Sequence, residues 1–105
     1  MMNFSINDKY ANSTIIKLLN QVGVSYNYIT NATLSAVQTY LRDEENFEVI
    51  VCIEDIRYYY DSFWPYYTDE QVSDDREYFS NYEACLEVGI TNALIDLKAW
   101  KNKQS

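Results

Sequence analysis

The feature that most constrains this chain is one long amphipathic pattern near its end, YFSNYEACLEVGITNALIDLKAW, residues 78–100. Tyr82, Leu86, Ile90, Ala93, Leu94, Leu97 and Trp100 recur at helical spacing, while Glu83, Glu87, Thr91, Asn92, Asp96 and Lys98 fall on the other side. Ser80 and Glu83 have capping-box spacing, which predicts that the helix begins at Ser80. About five turns of one-faced helix need a surface of similar length to cover, so the preceding residues must supply that layer. Gly89 falls on the apolar stripe, where it costs about 1 kcal/mol relative to Ala. Its presence predicts a strand or an aromatic ring packed close against the backbone.

The preceding residues change period twice. Ile15, Ile16, Leu18, Leu19 and Val22 keep helical spacing up to Gly23, predicting a first helix over residues 8–22. Leu34, Val37, Tyr40 and Leu41 predict a second over 32–43, with Thr30 or Asn31 accepting from its first amides. In FEVIVCIEDI the alternation becomes twofold: Phe47, Val49, Val51 and Ile53 point one way, Glu48, Ile50, Cys52 and Glu54 the other. Apolar residues on both sides predict a central strand covered on both faces for part of its length. The aromatic RYYYDSFWPYYTDEQV reads as one or two further strands, with turn formers at Asp61 and Ser62 and with Pro65 at an edge, bulge or turn. The acidic TDEQVSDDRE reads as a solvated loop before a short strand at 76–79. The expected architecture is a single α+β domain over residues 1–105. Two N-terminal helices precede a small, mostly antiparallel sheet from about 46 to 79, and a long C-terminal helix lies across it.

Composition removes several chemistries. The 105 residues include no histidine, which excludes His-based triads and the commonest zinc sites. Sixteen acidic against eight basic residues give a net charge of -8, and the cations do not cluster, so direct nucleic-acid binding is not expected. Lys98, Lys101 and Lys103 do gather, at the end of the last helix, where they suit its negative dipole end. Cys52 and Cys85 lack the spacing of a metal knuckle and read as buried free thiols. No run approaches the roughly 20 apolar residues of a membrane helix, and the first residues lack a signal-peptide pattern, which predicts a cytoplasmic protein. No stretch has the spacing of a calcium loop, and no pair of carboxylates is singled out for acid–base work. No cofactor, metal or catalytic residue is expected.

Two blocks carry a resemblance. LSAVQTYLRDEENFEVIVCI, with Val37, Gln38, Leu41 and Arg42, and YFSNYEACLEVGITNALIDL, with Tyr82, Glu83, Ala84, Leu86, Glu87, Gly89, Ile90, Ala93 and Leu94, resemble small proteins of Bacteroides genomes, their phages and prophages. Those proteins carry a VQxWLRE-like helix before a strand and a YEEALEAGIxxAL-like final helix. Tyr40, Asp43, Cys85 and Val88 depart from that pattern. The resemblance implies an accessory protein of a phage or mobile element, and transfers no catalytic residue.

The candidate site is the aromatic run Tyr58, Tyr59, Tyr60, Phe63, Trp64, Tyr66 and Tyr67, too dense for one sheet face to bury. Exposed Tyr and Trp favour protein interfaces, so Tyr58, Tyr60, Trp64 and Tyr66 are the expected partner-binding residues for a protein partner or for self-association. Trp64, held extended by the following proline, is the expected exposed anchor, with Tyr66 beside it. The competing expectation is an acidic surface that imitates nucleic acid and blocks a host nucleic-acid-binding or defence enzyme.

Overall fold

A computed structural model describes residues 9–24, 32–65 and 77–104. The fold is α+β. In chain order the elements are α1 (Ser13–Gln21), α2 (Leu34–Glu45), β1 (Glu48–Glu54), β2 (Arg57–Phe63) and α3 (Tyr82–Gln104).

Helix α1 starts later than its apolar pattern predicts, because the backbone before it is engaged elsewhere. Ala11 donates its amide to the Ala32 carbonyl at 2.9 Å, and the Lys9 carbonyl accepts from the Leu34 amide at 2.8 Å. Tyr10 and Thr33 thereby form an antiparallel bridge, and the Asn12 side chain caps the helix by accepting from the Ile15 amide at 2.9 Å. The helix stops before Gly23, whose φ of 91° suits glycine alone.

Helix α2 is capped by Thr33, whose hydroxyl accepts from the Ala36 amide; the expected caps Thr30 and Asn31 lie outside the described residues. It runs two residues beyond the expected end. Asn46 then takes the left-handed conformation with φ 56°, and the amides of Asn46 and Phe47 both return to the Leu41 carbonyl. This tight turn drops Phe47 straight into the core, where it is fully buried.

β1 and β2 form a two-stranded antiparallel hairpin with Glu54 opposite Arg57 and Glu48 opposite Phe63. The turn therefore falls at Asp55–Ile56, where Asp55 takes φ 57°, and the expected turn formers Asp61 and Ser62 lie inside β2. Asp tolerates the left-handed region better than a β-branched residue, so the reversal settles there. Pro65 sits in a turn just beyond the strand. The expected strand at 76–79 is reduced to a single antiparallel bridge between Tyr58 and Phe79; most of the acidic stretch before it lies outside the described residues.

Helix α3 begins one residue later than the capping box predicts. Asn81, not Ser80, provides the cap: its side-chain oxygen accepts from the Ala84 amide at 2.9 Å. The helix contacts α1, α2 and both strands, and buries Cys85, Leu86, Gly89, Ile90, Ala93, Leu94 and Leu97. Leu86, Ile90, Ala93, Leu94 and Leu97 meet Ile15 and Leu19 of α1, Leu34, Val37 and Leu41 of α2, and Phe47 and Val49 in one core. Gly89 meets both neighbours that its position predicts: a Cβ there would stand 3.0 Å from the Tyr60 ring and 3.0 Å from a methyl of Val49. Lys101 reaches beyond its own helix, donating to the Val22 carbonyl at 3.2 Å and to Glu45 at 3.0 Å. It thus ties the C-terminal ends of α1, α2 and α3 together, a wider role than complementing its own dipole. Among the described residues no helix is long and apolar enough to cross a membrane.

Candidate functional site

The hairpin has two faces of opposite character, and the pleat decides which residue belongs to which. Toward α3 point Val49, Val51 and Ile53 of β1 and Tyr58, Tyr60 and Ser62 of β2. Away from it point Glu48, Ile50, Cys52 and Glu54, with Arg57, Tyr59, Asp61 and Phe63 opposite them.

Three of the four expected partner-binding residues pack inward. Tyr60 lies half-buried against Gly89, and its hydroxyl accepts from the Asn92 side chain at 2.6 Å. Tyr58 meets the edge of Tyr82, with ring centroids 6.0 Å apart and planes at 89°. Trp64, the expected exposed anchor, stacks on Phe47 at 4.7 Å and 15° and meets Trp100 edge-on at 5.6 Å. Its exposure is therefore corrected: the residue closes the margin of the core, because the strand end carries it over buried Phe47 and the last turns of α3. Tyr66 lies outside the described residues. The described rings of the aromatic run are divided between both faces of the hairpin and the margin of the core, and of these Phe63 is the most open, at 57%.

Among the described residues the expected covering of both faces is reduced on the outer one to Tyr78, which lies against Tyr59 and Arg57, and Ile50 is 40% exposed. Beyond the reach of α3, Ile53 and Ile56 at the hairpin tip are 65% and 87% exposed. Sequence reasoning missed this patch because Ile50 sits in an apolar run that also suits a covered strand. The available signal was the supply of covering elements: one long helix can shield one face of two strands.

Polar contacts frame the outer face. The Tyr78 hydroxyl donates to Glu54 at 2.5 Å, the Arg57 guanidinium lies 3.9 Å from the centre of the Tyr78 ring, and Tyr59 meets Tyr78 edge-on. The Cys52 thiol points at Asp61, with 4.0 Å between sulfur and oxygen. Cys85 is fully buried, and burial first, then Cys52 and Glu77, pushes its thiol up from 9.0 to about 11. Such a thiol is a poor nucleophile at neutral pH, because the thiolate is the reactive form.

A separate cleft of about 290 Å³ runs between β2 and α3, lined by Tyr60, Ser62, Asn92, Ile95 and Asp96. It offers hydroxyls, an amide and one carboxylate, with no cation among its lining residues. Among the described residues no group of three His, Cys, Asp or Glu side chains comes together to hold a metal ion. Comparison with family models, curated proteins and solved structures gives no match.

Proposed function

We propose that the protein is a non-enzymatic accessory protein of a phage or mobile element that acts by binding a protein partner through the outer face of its hairpin. One observation carries this reading: Ile50 and Phe63 are 40% and 57% exposed on the face of the hairpin turned away from α3. Exposed apolar side chains at neighbouring positions of one face, with Tyr59 on the other side of Ile50 and acids around them, are the composition of an interface centre and its polar rim. The phage or mobile-element origin rests on the resemblance of the α2–β1 and α3 segments.

The test is capture of a partner, identified by mass spectrometry, by the wild type and by an Ile50→Ser, Phe63→Ser double variant. The double variant is expected to keep its fold and to lose capture tenfold or more, since central apolar anchors often contribute about 2 kcal/mol or more to an interface. Equal capture by both proteins refutes the assignment.

The acidic-surface reading has its own support in the excess of sixteen acids over eight cations. It differs in what it makes essential. An imitation of nucleic acid loses its partner when Glu48, Glu54 and Asp61 are neutralised or when salt screens them, and keeps it when Ile50 and Phe63 become serine.

A further inference from the structure

We propose that the outer edge of β1 is a docking edge that takes an extended segment of a partner, one with an apolar centre and a cation at each end. This rests on the reading of the hairpin as a binding surface and names how the partner is held.

The hydrogen-bond phase of the hairpin locates the edge. A two-residue turn makes Glu54 and Arg57 a hydrogen-bonded pair, so alternate residues of each strand turn their amides and carbonyls away from the partner strand. On β2 the outward residue Tyr58 exchanges both bonds with Phe79 at 2.8 Å, so the chain itself already runs along that edge. On β1 the outward residues are Val49, Val51 and Ile53. The Gln38 side chain donates to the Val49 carbonyl at 2.6 Å. Among the described residues, no such bond is made by the outward groups of Val51 and Ile53. Along the strand EVIVCIE no lysine, proline or bulge interrupts the edge.

Charge selects the occupant. Glu48 and Glu54 stand at the two ends of the strand on the outer face, with Ile50 and Cys52 between them and Asp61 across from Ile50. A second copy of this chain, paired antiparallel about Val51, would set Glu48 against Glu54 of its partner at both ends, and like charges directly opposed weaken a strand pair. A segment that is basic, apolar, apolar, basic on every second residue fits the same edge. Its cations meet Glu48 and Glu54, its apolar side chains meet Ile50 and Cys52, and its intervening amides bond to Val51 and Ile53.

The probe is the blocked peptide acetyl-Lys-Thr-Val-Thr-Val-Thr-Lys-amide, titrated into the whole protein and followed by amide resonances and calorimetry. It is expected to shift the amides of Val51 and Ile53. Affinity should fall tenfold or more when both lysines are replaced by glutamate, and should be lost when the threonine amides, which face β1, are N-methylated. Glu48→Gln with Glu54→Gln should weaken binding several-fold. Val51→Pro, which removes an outward amide, should abolish it, and the N-methylated peptide repeats that test on an unaltered protein should the proline disturb the fold. Failure of the peptide to bind, or equal binding by its N-methylated or glutamate forms, overturns strand addition. Capture that still depends on Ile50 and Phe63 would then leave the binding face standing without it. A dimer that Val51→Pro dissolves would overturn the choice of occupant in favour of a second copy.

Discussion

The two faces of one hairpin share the same strands and the same twofold alternation, yet they are used in opposite ways. Val49 on the inner face is fully buried; Ile50, the next residue, is 40% exposed. Tyr60 packs on Gly89, whereas Phe63 stands in the open. Within each of these pairs both side chains carry a large apolar surface, so hydrophobicity alone does not separate them. Position relative to α3 does: the helix lies against one face, and at the hairpin tip even Ile53 of that face is 65% exposed. A strand pattern thus specifies which residues travel together, and the packing partner specifies whether they are core or surface.

The sharpest way to break this comparison is at neighbouring residues. Val49→Asp places an unpaired carboxylate in the core and is expected to cost about 4 kcal/mol or more, unfolding a chain of this size, while Ile50→Thr should cost less than about 1 kcal/mol. Similar denaturation midpoints for the two variants would remove the distinction between the faces.

Next in size is the pair at the end of β2. Truncating Trp64 to Ala removes the ring that stacks on Phe47 and meets Trp100 and should cost roughly 2–4 kcal/mol, whereas Phe63→Ala should change stability by less than about 1 kcal/mol. Urea titrations that rank them in reverse order would return Trp64 to the role of exposed anchor.

Gly89 gives a test of sign. At an ordinary helix position Gly→Ala stabilises by about 1 kcal/mol. Here the added methyl would stand 3.0 Å from both the Tyr60 ring and Val49, and overpacking of this kind costs about 1–3 kcal/mol. Gly89→Ala is therefore expected to lower the melting temperature by a few degrees, and a rise would mean that the inner face is loosely packed.

The smallest effect concerns the two thiols. Cys85 keeps its proton in the folded state up to about pH 11, whereas the unfolded thiol releases it near 9.0. The folded state thus binds more protons across that window, so this thiol's contribution to stability falls as pH rises from 9 to 11. Cys85→Ala should lose stability less steeply there than the wild type, read from denaturation at several pH values. At neutral pH a thiol reagent should label half-buried Cys52 on the outer face well before Cys85.

Much of this fold was legible in the residues. Helical periodicity marks α1, α2 and α3, alternation marks β1, and the α+β class follows from their order, because these patterns record which side chains must face apolar surroundings. Gly89 even announced its neighbours, since a glycine on a buried helix stripe makes sense where something lies too close for a methyl group. The ends of the elements were less legible. The start of α1 depends on backbone bonds between Lys9–Ala11 and Ala32–Leu34, and the first residue of α3 on whether Ser80 or Asn81 turns its side chain to the helix. Such choices differ by about one hydrogen bond and are decided by distant segments.

The candidate surface was the least legible part, for a physical reason. The sequence by itself determined that Tyr58, Tyr60, Phe63 and Trp64 would crowd into one short segment, that no histidine chemistry was available, and that the charge would be strongly negative. It did not determine which rings would be covered, because burial is a property of what stands opposite a residue. The tertiary structure decided that Trp64 closes the core over Phe47, that Phe63 and Ile50 remain open, and that the outward amides of β1 face away from every described strand.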